Sequence, residues 1–214
     1  MEKLTKETVV LTWFFRGLED LFFAFRIKSP FRYEPFFNTM AFEMICKAYL
    51  LAEKAGQYEH LKGNQAVGKI DKLAKCWGHH IGVMVDEITA SINDQDFQNL
   101  FSQKFNGYTG DQFVKVMEAA YLESRYPVPN PIHEKFPIHG HPGTYWDPLC
   151  SSGLQYFCFS FTRRIMTYLK EKFGITVPKE EFDRIVTGEA GERFCNIFLK
   201  DIPPDFFSQP TTTQ

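Results

Sequence analysis

The sequence has no run of about 18 apolar residues, so no transmembrane helix is expected. It has no Gly-rich phosphate loop, no Gly-x-Ser-x-Gly elbow and no His-Glu-x-x-His pair. Its five cysteines are an odd number and none are paired at metal-ligand spacing. That usage fits a reduced, cytoplasmic protein and predicts neither a metal nor a cofactor. The opening residues MEKLTKE are polar and lack a signal-peptide pattern. Charge of one sign is also missing. A formal net charge of -2 excludes a protein that is basic as a whole, and leaves room only for a local basic face. No internal repeat and no alternating strand pattern is found.

What is present is ordinary globular composition over 214 residues, 44% hydrophobic and 23% charged, which excludes disorder for the bulk of the chain. One domain over 1–205 with a frayed tail at 206–214 is the default. Aromatic residues reach 16%, and 23 residues are Phe, so a bulky core or a sizeable apolar interface is expected.

Apolar residues recur at three- and four-residue steps, which predicts an all-α antiparallel bundle. Helices are expected over 8–27, 35–55, 67–92, 96–105, 111–123, 153–173, 179–187 and 189–201. Gly78 fits either of two readings, an interior residue of the third or a break that divides it in two. Asn106-Gly107 breaks the pattern between the next two. The stretch 126–148 carries six prolines and reads as an ordered crossing.

Three segments carry polar residues in a familiar order. Residues 38–58 hold Glu43, Lys47, Ala48, Leu50 and Leu51; residues 78–88 open with Gly78, His79, His80 and Ile81; residues 121–129 contain Arg125-Tyr126-Pro127. Together they resemble the central helix, the following helix and the Glu-x-Arg-Tyr-Pro segment of the HEPN superfamily. The resemblance spans about 35–175, with additional helices at both ends. It implies a nucleotide- or RNA-associated binding protein in stress, defence or toxin–antitoxin systems, a homodimer, and a small nucleotidyltransferase as partner. Ribonuclease members place Arg four to six residues before His. Here Arg125 and His133 are separated by seven residues, three of them proline, so ribonuclease activity is not expected.

The residues singled out for ligand binding are Glu43, Lys47, Lys72, Lys75, His79, Arg125 and Tyr126. Glu43 and Lys47 lie four apart on one helical face, with Arg125 and His79 expected to meet them across a polar cleft. On a continuous helix, His79 shares a basic face with Lys72 and Lys75; if Gly78 breaks the helix, His79 sits at an anion-favouring helix start. His80 reads as a hydrogen-bonded residue at the core edge. Arg125 reads equally as a charge at a helix C-terminus and as an anion-binding group. His133, His139 and His141 read as structural hydrogen-bonding groups in the crossing. Two other functions stand beside the first: an enzyme acting on phosphate-bearing substrates through His79 and Arg125, and an interaction scaffold. The Phe-rich first helix exposes either a dimer surface or a face for the C-terminal helices to cover.

Overall fold

The computed structural model describes residues 4–27, 33–124, 151–200, 202 and 206–207, with 33 and 119–124 described by backbone alone. The described chain is an all-α bundle of helices α1 (Lys6–Arg26), α2 (Tyr33–Glu53), α3 (Asn64–Trp77), α4 (Ile81–Ile92), α5 (Gln95–Ser102), α6 (Gly110–Ser124), α7 (Ser152–Phe173), α8 (Lys179–Ile185) and α9 (Gly188–Phe198). A two-stranded antiparallel hairpin, β1 (Lys104–Phe105) and β2 (Tyr108–Thr109), joins α5 to α6.

Helix α2 is the axis of the fold. Ala41, Phe42, Glu43 and every residue from Ile45 to Ala52 are buried, so this helix is covered on all sides rather than along one stripe. Helix α1 packs antiparallel on it: Trp13 lies over Lys47, Gly17 over Met44 and Ile45, and Phe23 over Phe37. Gly17 allows the close approach, because a Cβ there would stand 2.7 Å from Ile45 Cγ1. Helices α4 and α7 run in the same sense as α2. Glu43 meets His79 and Glu53 meets Ser91; Asn38 meets Cys158 and Glu53 meets Lys172.

Aromatic rings form the core between α2 and α7. Phe42 stacks on Phe161 at 4.1 Å and on Phe157 at 5.5 Å, and Phe157 also takes Phe113 and Phe105 at 5.6 Å. Each buried Phe contributes about 1.5–3 kcal/mol from area alone. The C-terminal helices cover the Phe-rich face of α1: Phe194 contacts Phe22 at 5.3 Å and Phe25 at 5.5 Å. Phe23 stays 45% exposed.

Several boundaries differ from the sequence reading. Of the two alternatives for the region over 67–92, the structure takes the divided one, because Gly78 adopts φ 54° and ends α3. The helix expected to reach Phe105 stops at Ser102, and Asn106-Gly107 closes a hairpin with positive φ at both residues. A two-residue strand is too short to show alternation. Phe206 and Phe207, expected in the tail, are buried, with Phe207 5.2 Å from Phe182. The proline-rich crossing, with Arg125, Tyr126, His133, His139 and His141, lies outside the described residues.

Candidate functional site

Glu43 is 1% exposed and Lys47 5%, so both charges are inside the protein. Burying either alone costs several kcal/mol, and the fold meets that cost by pairing. Lys47 Nζ donates to Glu43 Oε1 at 2.7 Å, one helical turn away. The Lys47 ammonium also lies 5.7 Å from the centre of the Trp13 ring on α1.

The second carboxylate oxygen of Glu43 takes His79, which the α3–α4 turn carries to it. His79 Nδ1 stands 2.9 Å from Glu43 Oε2. A carboxylate only accepts, so Nδ1 carries the proton and Nε2 is the acceptor of the neutral ring. The His79 side chain is 43% exposed, against 1% for its carboxylate partner. A buried carboxylate therefore fixes the orientation of a half-exposed imidazole, the arrangement by which proteins position a proton-transfer or anion-binding histidine.

The neighbouring His80 is exposed, not at the core edge, because the chain leaves the helical path at Gly78. Its Nδ1 lies 3.3 Å from Glu118 Oε1 on α6. Glu118 Oε2 accepts the Gly82 amide at 3.0 Å and caps α4. The helix start that the sequence offers for an anion is thus already occupied by a carboxylate from another helix. Nothing in the sequence around Glu118 signalled this role.

Lys72 and Lys75 are exposed on the outer face of α3. The common face that a continuous helix would give them with His79 does not continue past Gly78, since 3.6-residue periodicity ends where the helix ends. Lys75 Nζ is engaged with Asp71 Oδ2 at 2.7 Å. The structure thus brings together Glu43, Lys47 and His79, sets Lys72 and Lys75 on a neighbouring surface, and leaves Arg125 and Tyr126 outside its description.

No family model, curated protein or solved structure matches the chain. The site's own geometry therefore carries the functional reading. No helix among the described residues is long and apolar enough to cross a membrane.

A second polar cluster, not foreseen from sequence, ties the far ends of α2, α4 and α7. Tyr49 and Ser91 share a hydrogen bond of 2.8 Å, Ser91 Oγ donates to Glu53 Oε1 at 3.0 Å, and Lys172 pairs with Glu53 and donates to the Ser91 carbonyl at 3.1 Å. Burial raises the Glu53 carboxyl, but hydrogen bonds from Lys172 and Ser91 outweigh it and hold the group below the usual carboxylate range. Burial likewise raises the Tyr49 phenol. A protonated lysine and a neutral phenol are poor bases, so this cluster reads as a clamp. The thiols of Cys46 and Cys158 are fully buried and pushed up by burial, which makes them inert core residues.

Proposed function

We propose that the chain is a HEPN-like protein that binds the phosphate of a nucleotide or RNA through His79, without ribonuclease chemistry. The observation that supports this best is the hydrogen bond of a half-exposed His79 to the buried Glu43. Glu43 and Lys47 cancel in charge, so protonating the imidazole adds a positive charge beside a buried pair that is itself neutral. A phosphate beside the ring favours that form, and Glu43 keeps the ring from turning away. A homodimer and a nucleotidyltransferase partner belong to the same reading. Light scattering tests the dimer: a mass near 24.9 kDa that does not change with concentration rules it out.

Fluorescence anisotropy with a labelled single-stranded RNA tests the binding. His79→Ala is expected to lower affinity by about tenfold with the melting temperature nearly unchanged. Equal affinity for wild type and variant overturns the proposal.

The same hydrogen bond favours a second reading, an enzyme in which His79 accepts a proton during chemistry at phosphate and Glu43 positions it. Incubation with mixed RNA, with and without divalent metal, decides between them. Cleavage that His79→Gln abolishes selects the enzyme; intact RNA selects the binding protein.

A further inference from the structure

Helix α3 and the turn before it are basic in a chain that is slightly acidic. From Lys62 to Lys75 there are four lysines and one acid, Asp71, while the whole chain carries a formal net charge of -2. Lys62, Lys72 and Lys75 are exposed, and Lys69 is partly so. Asp71 is engaged with Lys75, but the two side chains are 56% and 76% exposed, so the pair holds Lys75 only weakly. Lys62, Lys69 and Lys72 make no ion pair among the described residues.

This arrangement works against the helix itself. Lys72 has Lys69 three residues before it and Lys75 three residues after it, and its neighbours at four residues are Gly68 and Cys76. Besides Lys72, Lys69 meets only Gln65, Ala66 and Leu73 at these steps. Like charges one turn apart destabilise a helix slightly, and no acid at those steps relieves Lys69 or Lys72. Elsewhere on the surface, cations sit one turn from an acid that pairs with them: Arg16 with Glu19 and Asp20 on α1, Lys179 with Asp183 and Arg184 with Glu181 on α8. A row of uncompensated cations along one helix is the electrostatic footprint of a polyanion.

The row leads toward His79. Lys69, Lys72 and Lys75 climb α3 about 4.5 Å apart along its axis, toward its C-terminal end. There the chain turns tightly: the Gly78 amide donates to the Lys75 carbonyl and the His80 amide to the Trp77 carbonyl, both at 3.1 Å. His79 lies four residues past Lys75, which limits their Cα separation to at most about 14 Å even for extended chain. A single phosphate at the imidazole makes no use of the lysines. A strand with a phosphate at every nucleotide does. We infer that α3 is a track for the backbone of an RNA strand, on which Lys62, Lys69, Lys72 and Lys75 meet the phosphates leading to the one at His79. This rests on the proposal that His79 meets phosphate, and selects RNA over a mononucleotide as the ligand.

Fluorescence anisotropy of the full chain with a labelled single-stranded RNA, repeated over a range of salt, tests this with the double variant Lys69→Gln and Lys72→Gln. Glutamine is a good helix former, and two like charges are removed, so the melting temperature is expected to stay or rise. RNA binding is expected to weaken at least about tenfold at about 0.1 M salt, with a salt slope shallower by about 1.4, at about 0.7 per lost phosphate contact. Lys69→Arg with Lys72→Arg keeps both charges and is expected to keep the wild-type slope. Inorganic phosphate is expected to shift the His79 ring resonances equally in wild type and in the Gln variant. Wild-type RNA affinity and slope in the Gln variant overturn the inference. So does polyglutamate that displaces the RNA at equal concentration of charge, which assigns the row to acidic protein segments instead. Phosphate shifts at His79 that persist in either case show that the track has failed and the phosphate reading has not. A weakened Gln variant, with no phosphate shift at His79 and unchanged RNA affinity in His79→Ala, shows the reverse.

Discussion

Glu43 reaches His79 across 36 residues of sequence, and its other carboxylate oxygen is held by Lys47. One buried acid therefore serves as an internal ion-pair partner and as the support of a surface imidazole. Removing either neighbour has different consequences. Lys47→Met leaves the Glu43 carboxylate buried with His79 as its remaining partner, and is expected to cost about 3 kcal/mol in urea denaturation. The double variant Glu43→Leu with Lys47→Met replaces both charges by apolar groups and is expected to recover most of that loss. It also removes the support of His79, so its RNA affinity is expected to fall below that of the wild type. Wild-type RNA affinity in the double variant would show that Glu43 does not position His79.

A second expectation concerns Asp20, which is 5% exposed on α1. Its Oδ2 accepts no hydrogen bond, and Arg16 Nε lies 3.7 Å away. Burial raises the carboxyl above its ordinary range, with Arg16 offsetting part of the effect. The folded value therefore lies above the unfolded one. Ionisation disfavours the fold above that range, and the penalty disappears as pH falls through the folded value toward the unfolded one. Asp20→Asn is expected to raise stability at pH 7 by about 1 kcal/mol, with the gain shrinking to nothing at low pH. Melting curves across pH 3–8 check this; a variant less stable than wild type at pH 7 shows that the Arg16 pairing outweighs the cost of burying the Asp20 charge.

Glu53 has the opposite sign. Lys172 and Ser91 hold it below its ordinary range, so its contribution is present above the unfolded value and is lost as pH falls through the lowered folded value. Glu53→Gln is expected to cost about 1 kcal/mol at pH 7, a figure kept small because the pair is partly exposed, and to cost nothing in strong acid. Comparing the two pH series separates the two carboxylates, since one variant gains where the other loses.

The sequence made the helices legible because their apolar periodicity is local, and it placed Glu43 and Lys47 correctly on one face because i and i+4 is a property of the helix itself. The resemblance brought His79 into consideration, although which face it occupied depended on Gly78. A glycine is tolerated inside a helix at a cost of about 1 kcal/mol and favoured at its end, so the residue type left both readings open, and Gly78 takes the end with positive φ. Glu118, Trp13 and Lys172 were not legible as site or clamp residues. Their partners lie on other helices, and no local spacing encodes which helices become neighbours. Asn106-Gly107 was read as a break and not as a hairpin, since two residues of strand on either side carry no alternation.

Gly17 tests the close approach of α1 to α2. A Cβ at this position would meet Ile45 Cγ1 at 2.7 Å, the Ala41 carbonyl at 3.0 Å and Met44 Cβ at 3.2 Å. Two of these are backbone or branch atoms that cannot swing aside. Gly17→Ala favours helix formation locally by about 1 kcal/mol, yet is expected to destabilise the protein by about 1–3 kcal/mol because α1 must lift from α2. A stabilised variant in thermal denaturation shows that α1 and α2 are further apart than described.

Glu118 gives an expectation in which stability and binding move in opposite directions. Its carboxylate caps Gly82 and meets His80, and so places negative charge at the start of α4 next to His79. Glu118→Ala removes the cap and is expected to cost about 1 kcal/mol. It also uncovers amides at a helix start, where an anion is favoured, and removes a charge that repels phosphate. RNA affinity is therefore expected to rise about threefold to tenfold, with a steeper dependence on salt as one more phosphate is engaged. Glu118→Gln keeps an oxygen for the Gly82 amide and removes the charge alone, so it is expected to retain most of the stability and still strengthen binding. The pair separates the roles of the carboxylate as hydrogen-bond acceptor and as charge. If both variants bind RNA no better than wild type while anisotropy still detects His79→Ala, the phosphate contacts His79 from a side that the α4 helix start does not face.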